Sequence, residues 1–308
     1  FRANMLTALA LWACFASGSL QAADPVLSYA EPRGGQRGTT VEVKLIGSRL
    51  GDAEEILFHQ PGISAKDIVH PEKKDGKSLT VNFEIAPDAQ LGEHMFQVRT
   101  KTGGTYVRRF WVSQFPNVLE EEGKNNEFET AQEIPINSSI EGIAKPETVD
   151  YYKITAKKGE RISIEVEGLR ANSITNRVAI DPYCAILNEE RFAIASSDDT
   201  SLLRQDCYLS VIVPEDGTYF VEVRDSAYQG NGRYRAHVGT FPRPSVVYPA
   251  GGKVGSEITM KVLGDAKGEY SAKVKLPAEP SDEYPVFAAH GGQLPPSPNY
   301  VRVSSYDN

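Results

Sequence analysis

The chain has 308 residues, of which 40% are hydrophobic. That length allows about two or three domains of roughly 100–150 residues, each able to bury a core, and it excludes wholesale disorder. The formal net charge is −8, and no cluster of Lys and Arg offers the counterion replacement that a nucleic-acid binder tracking the backbone needs.

The N-terminus reads as an export signal. Arg2 precedes the apolar run from Leu6 to Ala16, and small and polar residues follow to Ala22-Ala23. The run is short for a membrane span. Residues 1–23 are therefore expected to be a signal peptide, with localisation outside the cell or in the envelope or periplasm. The first residue is Phe, which leaves open whether Met5 is the start or the sequence is truncated. Cleavage removes Cys14 and leaves Cys184 and Cys207. Each lies in an alternating run, so two outcomes stand: a disulfide in an oxidising compartment, or two buried thiols acting as small hydrophobes.

A phrase then occurs twice. Pro32-Arg33-Gly34-Gly35-Gln36-Arg37-Gly38 is echoed by Pro249-Ala250-Gly251-Gly252-Lys253-Val254-Gly255, 217 residues on, and a further glycine follows each copy at Gly47 and Gly264. Such a repeat indicates a string of modules. Between and after the copies, apolar residues alternate with polar ones. Leu79, Val81, Phe83 and Ile85 share one face; Ile162, Ile164 and Val166 alternate with Ser163, Glu165 and Glu167; Tyr219, Val221 and Val223 alternate with Phe220, Glu222 and Arg224. These are expected to be antiparallel strands with one face in a core and one in water. Turn chemistry separates them at Asp75-Gly76, Gly103-Gly104, Lys158-Gly159, Asp216-Gly217 and Gly230-Asn231-Gly232. The fold class is all-β, as tandem β-sandwich modules.

Proline and the repeat set the boundaries: residues 24–115, 116–241 and 242–308, with Phe241-Pro242-Arg243-Pro244 as a stiff linker. The third module is expected to be incomplete. Val112-Ser113-Gln114-Phe115-Pro116-Asn117 leads into the central module, and the sequence ends on the similar Val303-Ser304-Ser305-Tyr306-Asp307-Asn308. The expectation is a fragment of an alternating array, cut where a second copy of the central module begins.

On the Pro-x-Gly-Gly-x-x-Gly opening, the Val41-Glu42-Val43-Lys44-Leu45 strand and the turn Gly47-Ser48-Arg49-Leu50, the outer modules resemble immunoglobulin-like folds of the IPT/TIG type. The resemblance implies structural glycines. The central module resembles the bacterial pre-peptidase C-terminal domain. The matching residues are Glu120-Glu121-Glu122-Gly123-Lys124-Asn125-Asn126, Glu129-Thr130-Ala131, Asp150-Tyr151-Tyr152-Lys153-Ile154 and Pro214 through Val223. That resemblance implies a jelly-roll-like sandwich without catalysis of its own, and the combination is similar to large exported proteins of planctomycete-type bacteria.

Related collagen-binding modules with this sandwich hold calcium between the entry segment and acidic loops. Carried over residue by residue, the pattern implies Glu121, Asn125, Asn126 and Asp150 as Ca²⁺ ligands. Gly123, Lys124 and Thr148 depart from it, so backbone carbonyls or Glu120 would have to complete a shell of six or more oxygens. Asp198-Asp199 and Asp206 are expected to brace loops. Tyr219 is expected to be structural. Core burial is expected over ligand binding for Trp111, Tyr151, Tyr228 and Tyr234. Asn137-Ser138-Ser139 fits a glycosylation acceptor or a turn equally well.

No nucleophile elbow, zinc-protease helix motif or phosphate loop occurs, and His59, His70, His94, His237 and His290 are scattered. The expected role is therefore not that of an enzyme. The chain reads as a non-catalytic spacer and binding surface for protein, polysaccharide or envelope, stiffened by calcium. Two alternatives stand beside it: the accessory region of a secreted peptidase whose catalytic domain lies elsewhere, and a collagen- or glycan-binding module.

Overall fold

The computed structural model describes residues 23–71, 76–170 and 180–306. The expected signal peptide up to Ala22 with its Cys14, Asp75 of one turn and the final Asp307-Asn308 lie outside them. The protein is a tandem of β-sandwiches, as the alternation requires. Among the described residues no helix is long and apolar enough to cross a membrane.

The first module contains β1 (Val26–Glu31), β2 (Gly34–Gln36), β3 (Thr40–Ser48), β4 (Ala53–Phe58), β5 (Ile63–Val69), β6 (Ser78–Ile85), β7 (Gly92–Thr100), β8 (Gly103–Gly104) and β9 (Arg108–Ser113). They form sheets β1-β3-β6-β5 and β2-β9-β7-β4, with β8 paired to β7. Between the sheets lie Val43, Leu45, Val81, Phe83, Phe96 and Phe110, and Phe83 makes edge-to-face contacts with both Phe96 and Phe110.

The central module contains β10 (Asn117–Leu119), β11 (Gln132–Glu133), β12 (Ser138–Ala144), β13 (Asp150–Ala156), β14 (Arg161–Glu167), β15 (Pro182–Leu187), β16 (Ala193–Ser197), β17 (Tyr208–Ile212), β18 (Gly217–Asp225) and β19 (Gly232–Gly239). Its two five-stranded sheets run β10-β12-β19-β14-β17 and β11-β13-β18-β15-β16. The Tyr219 ring is buried and its hydroxyl donates to the Glu215 carbonyl at 2.8 Å, the structural role expected of it. Trp111 and Tyr234 are buried as well, whereas Tyr228 is exposed.

The third module contains β20 (Val246–Tyr248), β21 (Gly251–Lys253), β22 (Glu257–Leu263), β23 (Tyr270–Lys275), β24 (Ser281–Val286) and β25 (Asn299–Ser304), in sheets β20-β22-β23 and β21-β25-β24. It repeats the strand order of the first module without counterparts of β4, β5 and β8. Gly34 and Gly35 pair in parallel with Trp111 and Val112, as Gly251 and Gly252 do with Arg302 and Val303. The offset between copies is thus 217 at the opening and 191 at the closing strand. The shorter copy runs from β22 almost directly into β23, where the first module inserts β4 and β5. The glycines have the same job in both copies. A Cβ on Gly34 or Gly251 would collide with the carbonyl of Trp111 or Arg302 on the neighbouring strand, and Gly38 and Gly255 turn at φ +78 and +69.

One expectation fails. Ser163, Glu165 and Glu167 do not face water; every residue of β14 is buried. The outer modules close over that face of the central sheet. Glu165 Oε2 meets Arg243 Nε at 2.7 Å, and its Oε1 meets Arg170 Nη2 at 3.2 Å. Arg161 Nη1 reaches Asp265 Oδ1 of the third module at 2.7 Å. Arg235 Nη1 holds Glu141 Oε1 at 2.7 Å, and the Arg33 backbone N–H of the first module donates to Glu141 Oε2 at 3.3 Å. The Phe241–Pro244 segment is accordingly packed, with all four residues buried. Leu294 and Phe287 of the third module also pack against the core of the first.

Candidate functional site

Asp150 opens β13 and is buried at the edge of the sandwich. Its Oδ2 accepts from the Tyr234 hydroxyl at 2.8 Å, and that hydroxyl lies 2.6 Å from the Tyr152 hydroxyl. Its Oδ1 accepts from Asn126 Nδ2 at 3.0 Å. The entry segment brings a second carboxyl, Glu120, beside that of Asp150; its Oε2 accepts from the Ile143 N–H at 2.6 Å. Burial, then the neighbouring Asp150 charge, pushes Glu120 up to about 8. Burial pushes Asp150 up to about 6 against the pull of Tyr234 and Glu120. At neutral pH the pair therefore retains a proton, held by Glu120. Beside it Asn125 is fully buried, next to the Tyr152 hydroxyl, and neither its Oδ1 nor its Nδ2 has a well-formed hydrogen bond.

Of the four residues named as metal ligands, the structure gathers Asn125, Asn126 and Asp150. It sets Glu121 apart: that carboxylate is exposed and lies 3.7 Å from Lys124 Nζ. Asn126 turns its NH₂ toward both Asp150 and the Val149 carbonyl, so it braces the carboxylate. The donors that fit a hard cation are Glu120, Asp150 and the unpartnered Oδ1 of Asn125. All three are hard oxygen donors: Tyr234 and Asn126 hold Asp150, the Ile143 N–H holds Glu120, and the Asn125 Oδ1 has no hydrogen-bond partner. They fill part of a shell of six.

Two further constellations bear on chemistry. Asp181, Asp198 and Asp199 bring carboxylate oxygens within 4.8 Å of one another at the surface, and Asp198 is raised by burial and by its two neighbours. Asp206 instead braces a loop, its carboxylate accepting from the backbone N–H groups of Gly168, Leu169 and Arg170. A serine–histidine–glutamate row also exists. Ser139 Oγ lies 2.8 Å from His237 Nδ1, and His237 Nε2 lies 3.3 Å from Glu167 Oε1. All three are buried in the module junction, and Ser139 Oγ donates to Ser113 Oγ at 3.1 Å, so the row is a sealed polar contact. Asn137 sits in a turn at φ +66 with its Oδ1 accepting from the Thr240 N–H at 2.9 Å.

Residues 148–225 match the bacterial pre-peptidase C-terminal domain family. The match spans β13 through β18, including Asp150, Tyr152 and the Tyr219 strand. No curated protein matches the sequence. Similar solved structures include SGBP-B of the Bacteroides ovatus mixed-linkage glucan utilization locus, in complex with a mixed-linkage heptasaccharide. It is 13% identical, with 70% of this chain and 75% of that one covered and a TM-score of 0.25. SGBP-B of a Bacteroides uniformis xyloglucan utilization locus is 12% identical, with 70% and 73% covered and a TM-score of 0.25. The Yersinia pseudotuberculosis adhesin InvE is 14% identical, with 84% and 61% covered and a TM-score of 0.22.

Proposed function

We propose that the chain is a non-catalytic structural and binding segment of an exported protein. Sandwiches of two kinds alternate, lock face to face, and hold binding surfaces at fixed spacing for polysaccharide or protein partners at or beyond the cell envelope. The observation that carries this reading is the ionic seam. Glu165, Arg243, Arg235 and Asp265 are buried between modules that each have a separate core. Buried charges are costly to leave unpaired, so a module that swung away would expose or strand them. The seam thus converts a string of domains into one stiff body.

The two outer modules differ at the equivalent face. Tyr306 is 80% exposed where its counterpart Phe115 is 6% exposed against the central module. Arg302 stands open where Trp111 is covered. Among the described residues, the face that docks on the central module in the first copy is exposed in the second.

In this reading Ca²⁺ stiffens the entry of the central module, held by Glu120, Asp150 and Asn125. A bound dication would neutralise the paired carboxyls in place of the retained proton. The match at 148–225 also favours a second reading, the accessory region of a secreted peptidase.

Limited digestion with a non-specific protease, combined with calorimetry, tests the seam. Resistance at residues 114–118 and 240–245 with one cooperative transition is expected. Rapid cutting at both junctions with independent melting of three units overturns the stiff-body reading.

A further inference from the structure

Cys184 and Cys207 lie on opposite sheets of the central sandwich. Cys184 sits in β15, fixed by pairing to Val223 on one side and Ser197 on the other. Cys207 immediately precedes β17, and its carbonyl accepts the Val166 N–H of β14 at 2.9 Å. Both side chains are fully buried in the same core cluster, and their sulfurs face each other at 3.4 Å. Backbone pairing holds the two residues from opposite sides. Closing a bond of about 2.05 Å then needs the sulfurs to approach by roughly 1.3 Å.

We propose that Cys184 and Cys207 form an intersheet disulfide when the chain folds in an oxidising compartment, a proposal that rests on the exported reading. The oxidant is a small-molecule or protein disulfide. The thiolate of one cysteine attacks it, forming a mixed disulfide and releasing one thiolate. The second cysteine then attacks the mixed disulfide and releases the other. Two cysteine thiols each lose a proton and together lose two electrons, and the external disulfide is reduced to two thiols. Burial pushes the Cys207 thiol well up in the folded protein, and no exchange partner can enter the core, so the reaction takes place before the sheets close.

The link matters because of where it ties. It closes a loop between positions 23 apart. That loop contains Asp198 and Asp199 as well as Asp206, next to Cys207. Asp206 holds the Arg170 guanidinium at 2.5 Å, and Arg170 Nη1 reaches Ser297 of the third module at 2.7 Å. The disulfide would therefore pin the crossover between the two sheets and, through Asp206, one anchor of the seam.

The test uses the whole chain, reduced and unfolded, then refolded in a glutathione/glutathione-disulfide buffer. It is alkylated under denaturing conditions and digested. A cross-linked peptide pair containing Cys184 and Cys207 is expected, with Cys14 the only alkylated cysteine. Alkylation at both Cys184 and Cys207, or their recovery only as mixed or intermolecular disulfides, overturns the proposal. Melting gives a second measurement. Reductant should lower the parent transition by roughly 5–10 °C and leave a Cys184→Ala/Cys207→Ala chain unmoved. Equal insensitivity of the parent overturns it too. Export is read separately, from the N-terminal residue of secreted material, so failure of that reading is distinguishable from failure of the disulfide.

Discussion

Glu165 and Arg243 face each other at 2.7 Å with both side chains wholly buried, one on β14 of the central sandwich and the other in the segment leading to the third. The Tyr208 ring lies under the guanidinium at 4.2 Å. Arg170 Nη2 and the Ser297 hydroxyl also converge on Glu165. Arg243, Arg170 and Ser297, from two modules, thus meet at one carboxylate, beside the Arg161–Asp265 pair of the same junction.

Glu165→Leu should destabilise the protein by about 3–5 kcal/mol, since it strands Arg243 in a dry site. Replacing both partners, as Glu165→Leu/Arg243→Met, should recover part of that loss, because the two buried charges leave together and Arg170 keeps Asp206 as its partner. Denaturant titration of the parent, Glu165→Leu, Arg243→Met and the double variant measures the coupling. Additive losses would show that the pair does not bear on the junction.

The Glu120–Asp150 pair predicts an unusual pH dependence. Both carboxyls are raised in the folded protein, so between about pH 4 and 8 the folded state retains protons that the unfolded state has released. Stability without calcium should fall as pH rises through that window, by at most about 1.4 kcal/mol per pH unit from Glu120. It is fully present only below the unfolded carboxylate range. Glu120→Gln keeps the hydrogen-bond donor and removes the titration, and it should flatten the curve. An unchanged slope in that variant would place the dependence elsewhere.

Calcium should reverse the trend. A cation competes with the retained proton, so its stabilisation should grow as pH rises. At a concentration about 100-fold above Kd the gain is about 2.7 kcal/mol. Asp150→Asn should abolish the calcium-dependent rise in melting temperature. Glu121→Gln should leave it intact, since that carboxylate faces Lys124. If millimolar calcium and chelator give the same melting temperature in the unaltered protein, the site holds no calcium.

What the sequence disclosed follows the range of its signals. Alternation is local, so strands such as Leu79–Ile85 and Tyr219–Val223 were legible, and so was the sandwich. Burial of the polar side of β14 was not. Glu165 and Glu167 have the spacing of a solvated face, and what covers them comes from residues far along the chain. The proline-rich Phe241–Pro244 segment read as a spacer for the same reason; nothing local marks Arg243 as an insertion between modules. In the carboxylate cluster, Asp150 and the two asparagines were reachable through the family pattern. That pattern favoured Glu121, and only the path of the chain from β10 shows that Glu120 turns inward, to the Ile143 N–H.

The repeated glycines give a last prediction that separates their two surroundings. A Cβ on Gly251 would strike the Arg302 carbonyl of its own module, and one on Gly34 would strike both the Trp111 carbonyl and the Arg235 guanidinium of the central module. Each Gly→Ala change should cost about 1–3 kcal/mol through forced displacement of the paired strand. Only Gly34→Ala should also push Arg235 off Glu141 and open the first junction. Protease cutting near residues 114–118 should therefore accelerate in Gly34→Ala and stay at the parent rate in Gly251→Ala. Equal rates in the two variants would mean that the first glycine serves its own module alone.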